Sequence, residues 1–149
     1  MAAQTDTDKF LCGHGVRPSL QRRAIFEFLV KNPVHPTAEE VYRALSPQIR
    51  TLSRTTVYNT LRLFCERGAA QMITPEENEM RFDALLGEHG HFKCTACGRI
   101  FDFACGEAFA GASAALPEGF VAEQTQLYVR GLCKNCRESG AVPAETPSA

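Results

Sequence analysis

The chain has no run of about 18 apolar residues, so no stretch of it reads as a membrane-crossing helix. It contains no HExxH pattern and no evident general base apart from its metal-type side chains. That leaves little support for a zinc-dependent enzyme in which His, His and Asp hold an ion with an open position for water. Its opening residues, MAAQTDTDKF, are polar and lack the apolar centre of a signal peptide, and the expectation is a cytoplasmic protein. Net charge is also nearly absent: 16 Lys and Arg stand against 17 Asp and Glu. Taken alone, that balance argues against a nucleic-acid partner.

What is present changes that reading. The 149 residues, 44% of them hydrophobic, suffice for one medium domain or two small ones with a buried core. The charge is unevenly divided: residues 1–74 carry +4 and residues 75–149 carry −5. A basic first half is where DNA contact is expected, and an acidic second half is where it is not. The seven cysteines are odd in number, and four of them form CxxC pairs. In a reducing compartment this pattern reads as metal binding and not as a disulfide framework.

Residues 1 to about 15 read as a polar tail. Next, Leu20, Ile25, Phe28 and Leu29 keep near one stripe at helical spacing, which predicts a helix from Ser19 to Asn32, stopped by Pro33. Thr37 with Glu40 three residues on is a capping box and predicts a second helix to about Ser46, burying Val41 and Leu45. A third helix follows Ser53 and ends at Gly68, with Val57, Leu61 and Phe64 on its inner stripe. Its outer face carries Arg54, Thr55, Tyr58, Asn59 and Arg62, side chains able to reach phosphates or base edges. AAQMI and EMRFD, broken by TPEEN, make a two-stranded wing, and the whole predicts a winged helix-turn-helix.

After Asp83 the pattern changes to short strands, with one helix near Gly106 to Leu116. Cys94-x-x-Cys97 and Cys133-x-x-Cys136 together supply the four thiolates of a closed structural zinc site, which staples the second domain. His89 and His91, two apart on a strand, project to one face. With the thiolates committed to zinc, His89, His91 and Asp102 remain, and His35 and Asp83 are of matching type. Nitrogen and oxygen donors suit iron(II) or manganese(II), so two chemically distinct metals are expected. Cys12, Cys65 and Cys105 have no ligand-spaced partner.

HPTAEEVY, RTTVYNTLRLFCERG, RFD, HGHFKCTACGRIFDF and GLCKNC stand here in the order and approximate spacing of the ferric uptake regulator family, from about Val16 to Glu138. The chain resembles that family of metal-dependent repressors, and within it the peroxide-sensing branch, which has aspartate where Asp102 stands. The resemblance implies an α+β protein: a winged-helix DNA-binding domain over 1–83, a hinge at 84–87, an α/β dimerisation and metal-binding domain over 88–138, and a disordered tail at 139–149. It also implies that His35, Asp83, His89, His91 and Asp102 form the regulatory metal site and that Cys94, Cys97, Cys133 and Cys136 hold zinc. A further metal site found in many iron and zinc regulators looks absent, because Glu88, Gly90 and Thr125 occupy its positions.

The implied partners are a second copy of the chain and double-stranded DNA with a palindromic operator; no small-molecule substrate beyond a metal ion and peroxide is expected. An ion held by both domains would set the spacing of the two recognition helices of a dimer. In the peroxide-sensing branch iron(II) directs oxidation onto two histidines, matching His35 and His89. The alternatives are an iron-responsive repressor using iron or manganese without peroxide sensing, and a thiol switch in which oxidation releases zinc.

Overall fold

The computed structural model describes residues 2–76 and 78–143, and side chains from Asp6 onward. The chain divides into two compact units, Met1–Leu86 and Gly87–Ala149.

The first unit begins with a helix, α1 (Ala2–Gly13), where the sequence reading placed a polar tail. Tertiary packing overrides the polar composition: Leu11 is fully buried, and the Phe10 ring stacks on Phe26 at 4.8 Å. Helix α2 (Leu20–Lys31) is capped by the Ser19 side chain, which accepts from the Arg22 N–H. Its buried residues are Ile25, Phe26 and Leu29, whereas Leu20 is 64% exposed and Phe28 only half-buried. The inner stripe is therefore rotated from the expected one, because α1 draws Phe26 inward. Helix α3 (Ala38–Leu45) carries the full capping box: Glu40 N–H donates to Thr37 Oγ1, and Thr37 N–H donates to Glu40 Oε2 at 2.7 Å. Helix α4 (Arg54–Glu66) starts at the Ser53 cap and buries Val57, Thr60, Leu61 and Phe64. It ends at Gly68, whose φ of +70° is left-handed backbone that glycine adopts without penalty.

Strands β1 (Gln71–Glu76) and β2 (Glu79–Asp83) pair antiparallel as the wing, with Ile73 and Phe82 turned into the core. The expected break at TPEEN is shorter, since β1 runs on through Thr74, Pro75 and Glu76. A register shift between Ile73 and Glu76 accommodates Pro75, which has no N–H to give the ladder. The unit is a winged helix-turn-helix with one helix more than the three expected.

The second unit is built on a three-stranded sheet in the order β4-β3-β5. Strand β3 (Gly90–Cys94) is central, pairing antiparallel with β4 (Ile100–Phe103) and parallel with β5 (Tyr128–Gly131). A short helix, α5 (Ala108–Ala114), lies in the long connection between β4 and β5, and α6 (Lys134–Glu138) follows β5. Among the described residues, the buried apolar side chains of this unit are Cys94, Ile100 and Phe109. So few give too small a core for a unit of this length, and a metal staple fits the deficit. Of the expected disordered tail, residues 144–149 lie outside the described residues; in residues 139–143, Ala141 N–H still bonds to Cys136 O at 3.0 Å.

Candidate metal centres and nucleic-acid face

Cys94 closes β3, Cys97 follows on the turn to β4, and Cys133 and Cys136 flank the start of α6. The turn is set by Gly98, at φ +72°, whose N–H bonds back to Cys94 O at 2.9 Å. The four sulfurs lie within 4.8 Å of one another, and Cys97 Sγ and Cys133 Sγ are 4.0 Å apart. A tetrahedron of sulfurs about 2.3 Å from zinc has edges of about 3.8 Å, so the cluster fits that ion. Its electrostatics suit a cation as well. The backbone N–H groups of Cys133 and then Cys97 draw the Cys94 thiol down to about 6. The Cys136 thiol, hydrogen-bonded to Cys133 and desolvated, is pushed up to about 12. Four thiols this close cannot all ionise without positive charge among them.

A second cluster in the same unit has no sulfur. His91 and Asp102 are direct cross-strand partners of β3 and β4, and His89 stands just before β3 on the same face as His91. The Nε2 atoms of His89 and His91 each lie 3.6 Å from Asp102 Oδ1. That is too long for a hydrogen bond. It falls between the roughly 3 Å and 4.2 Å that separate adjacent and opposite donors on an ion bound at about 2.1 Å. His89 Nδ1 bonds to Gly87 O at 3.0 Å, which fixes the proton on Nδ1 and leaves the Nε2 lone pair for a metal. Between the histidines, Gly90 lies under the Phe103 ring. A Cβ there would be 2.7 Å from Cε1 and Cε2 and nearer still to Cζ, so any side chain at this position would have to push the Phe103 ring aside.

The first unit contains a matching pair. His35 and Asp83 are both buried, and His35 Nε2 is 3.6 Å from Asp83 Oδ2. The other carboxylate oxygen, Oδ1, accepts the Leu85 N–H at 2.8 Å, which orients the group. The donors of both clusters are imidazole and carboxylate, a set that fits iron(II) or manganese(II). The remaining thiols have no place in either cluster. Burial pushes the Cys65 thiol up to about 11, which leaves it a poor nucleophile at neutral pH.

All five residues expected on the outer face of α4, Arg54, Thr55, Tyr58, Asn59 and Arg62, are exposed. Two arginines are engaged within the unit. Arg54 donates from Nε and Nη2 to the Glu39 carboxylate at 2.8 and 3.1 Å and lies 4.4 Å over the Tyr42 ring. Arg62 pairs with Glu66 at 2.8 Å. Beside Asn59 an open cleft of about 570 Å³ is lined by Arg17, Gln21, Arg22 and Thr56 as well. The sequence alone does not single out these residues: Arg17, Gln21 and Arg22 stand at or just before the start of α2, and Thr56 lies in the first turn of α4.

A profile described as the ferric uptake regulator family matches residues 13–130. The chain belongs to that family. The Peroxide operon regulator of Bacillus subtilis strain 168 is 39% identical over 123 residues, covering 82% of this chain and 85% of that protein. Among solved structures, the ferric uptake regulator of Francisella tularensis with iron superposes with a TM-score of 0.69 at 25% identity, covering 83% of this chain and 96% of that one. That of Pseudomonas aeruginosa with manganese gives 0.67 at 25% identity, covering 85% and 97%. Family membership makes the chain a metal-dependent transcriptional repressor. No helix among the described residues is long and apolar enough to cross a membrane.

Proposed function

We propose that this repressor senses hydrogen peroxide. In this reading Cys94, Cys97, Cys133 and Cys136 hold a structural zinc. One iron(II) or manganese(II) ion takes donors from His35, Asp83, His89, His91 and Asp102, with residues 84–87 as the hinge. The observation that carries the reading is the separation of donor types. Sulfur is confined to one cluster, and the imidazole and carboxylate groups to the other two, with 3.6 Å spacings suited to a first-row ion. Similarity to a protein named for peroxide, and to solved relatives with iron and with manganese, supports it. So does the aspartate at position 102.

With both units on one ion, the metal fixes the two DNA-reading heads of a dimer for a palindromic operator. Arg54, Thr55, Tyr58, Asn59 and Arg62 would face the DNA. Moving a two-state hinge from mostly open to mostly closed takes about 5.5 kcal/mol of preferential binding. Bound iron(II) supplies one-electron chemistry with peroxide that manganese(II) resists. The chain supplies the target: an imidazole of His35 or His89 gains one oxygen atom from peroxide, and water leaves. The modified ring is a poorer donor, so the hinge opens and DNA is released.

The test compares iron-loaded and manganese-loaded protein on palindromic operator-like DNA by fluorescence anisotropy while limiting peroxide is added. Release from the iron form alone supports the proposal. Metal-dependent binding that survives peroxide in both forms would instead mark an iron- or manganese-level regulator.

A further inference from the structure

We propose that Arg81 is the positioning residue for His35, an inference that rests on the peroxide-sensing reading. Among the described residues, His35 is the one non-glycine residue with positive φ, at +54°. For an L-residue this conformation is strained and persists only where its surroundings enforce it. The enforcing contacts come from β2. Arg81 Nη1 donates to His35 O at 2.9 Å, and Phe82 N–H donates to Pro36 O at 3.0 Å. Arg81 is itself held, with Nη2 on Glu79 Oε1 at 2.7 Å and Nη1 3.4 Å from Glu40 Oε2. That Glu40 oxygen also accepts the Thr37 N–H, so the start of α3, the His35 peptide and β2 form one network.

Two residues along the same strand, Asp83 faces the His35 imidazole. Strand β2 thus meets His35 at two points: Arg81 bonds its backbone carbonyl, and the Asp83 carboxylate stands 3.6 Å from its ring. With the carbonyl released, the peptide relaxes toward the extended region that a residue before proline favours, here His35 before Pro36. The Cα–Cβ direction turns, and Nε2 leaves the position where it meets Asp83. Arg81 touches neither metal nor peroxide in this scheme, and its effect on the reaction passes through His35.

The experiment uses full-length, zinc-containing wild type, Arg81→Lys and Arg81→Gln. Manganese(II) affinity is read from the free-ion EPR signal. The iron forms receive limiting peroxide, and oxygen on His35 and on His89 is quantified by peptide mass spectrometry. Arg81→Gln weakens manganese binding by roughly 10- to 100-fold, with Arg81→Lys between it and wild type. The share of oxygen on His35 falls relative to His89, with zinc content and far-UV circular dichroism unchanged. A merely structural role would move both histidines together. An unchanged His35 to His89 ratio in a folded variant overturns the proposal, and if Arg81→Gln fails to fold, Arg81→Lys decides by the same ratio. Should the wild type itself take up oxygen on neither histidine, the peroxide-sensing reading fails. The manganese affinities then decide by themselves whether Arg81 positions His35.

Discussion

His91 and Asp102 sit directly opposite each other on β3 and β4, with Nε2 3.6 Å from Oδ1, and the same oxygen lies 3.6 Å from His89. One carboxylate oxygen thus stands equally far from two imidazoles, His91 on the strand ladder and His89 just before it. Replacing Asp102 by alanine removes that donor without touching the zinc cluster. Manganese affinity falls by at least about tenfold, while zinc content stays at the wild-type level; titration of the zinc-loaded variant measures both.

Gly90 separates the two histidines because the Phe103 ring occupies the space a side chain would need. The Gly90→Ala variant must displace Phe103 or bend β3. It destabilises the second unit by about 1–3 kcal/mol, seen as a lower melting temperature. It also weakens regulatory-metal binding, because both flanking donors move with the strand. A companion Phe103→Leu change, which leaves room for the added methyl group, should recover part of the loss.

Zinc carries the stability that the small apolar core of the second unit does not supply. Cys94→Ser, which alters the most buried of the four ligands, should abolish zinc retention and cooperative melting of residues 87–143. The effect is on the order of the 10 kcal/mol that a structural zinc contributes. Chelation of zinc from wild type should give the same circular dichroism change. The winged-helix unit, with its core from Leu11 to Phe82, should keep its helical signal in both cases.

Arg22 and Asn59 line one cleft at the start of α2 and the outer face of α4. If that face meets DNA, Arg22→Gln weakens binding about equally for all sequences and lowers the slope of log affinity against log salt by about 1. Asn59→Ala, on the helix expected in the major groove, should instead relax discrimination at one operator position. Anisotropy titrations at several salt concentrations, with single-base operator variants, separate the two effects.

Much of this architecture is legible in the sequence because local physics dictates it. The Thr37–Glu40 capping box, the Ser53 cap, the Val57, Leu61 and Phe64 stripe and the glycine stop at Gly68 need only neighbours in the chain, and all appear as expected. Helix α1 was missed because its anchor is the tertiary contact of Phe10 and Leu11, not a repeating stripe. For the same reason Phe26 displaced Leu20 from the buried face of α2. The parallel pairing of β3 with β5 joins segments that no local pattern relates. The CxxC pairs and the His89, His91 pair stand out by type and spacing, whereas grouping His35, Asp83 and Asp102 with those histidines is what the family resemblance implies. The left-handed backbone of His35 and its bond to Arg81 could not, since a histidine gives no signal of the strain its surroundings impose.

The most direct test of the central claim is peptide mass spectrometry of iron-loaded wild-type protein, released from operator DNA by limiting peroxide, with zinc measured in the same sample. Oxygen on His35 or His89, zinc fully retained and no change in a manganese-loaded control is the predicted result. Release accompanied by zinc loss and oxidised cysteines, with both histidines unmodified, would contradict it.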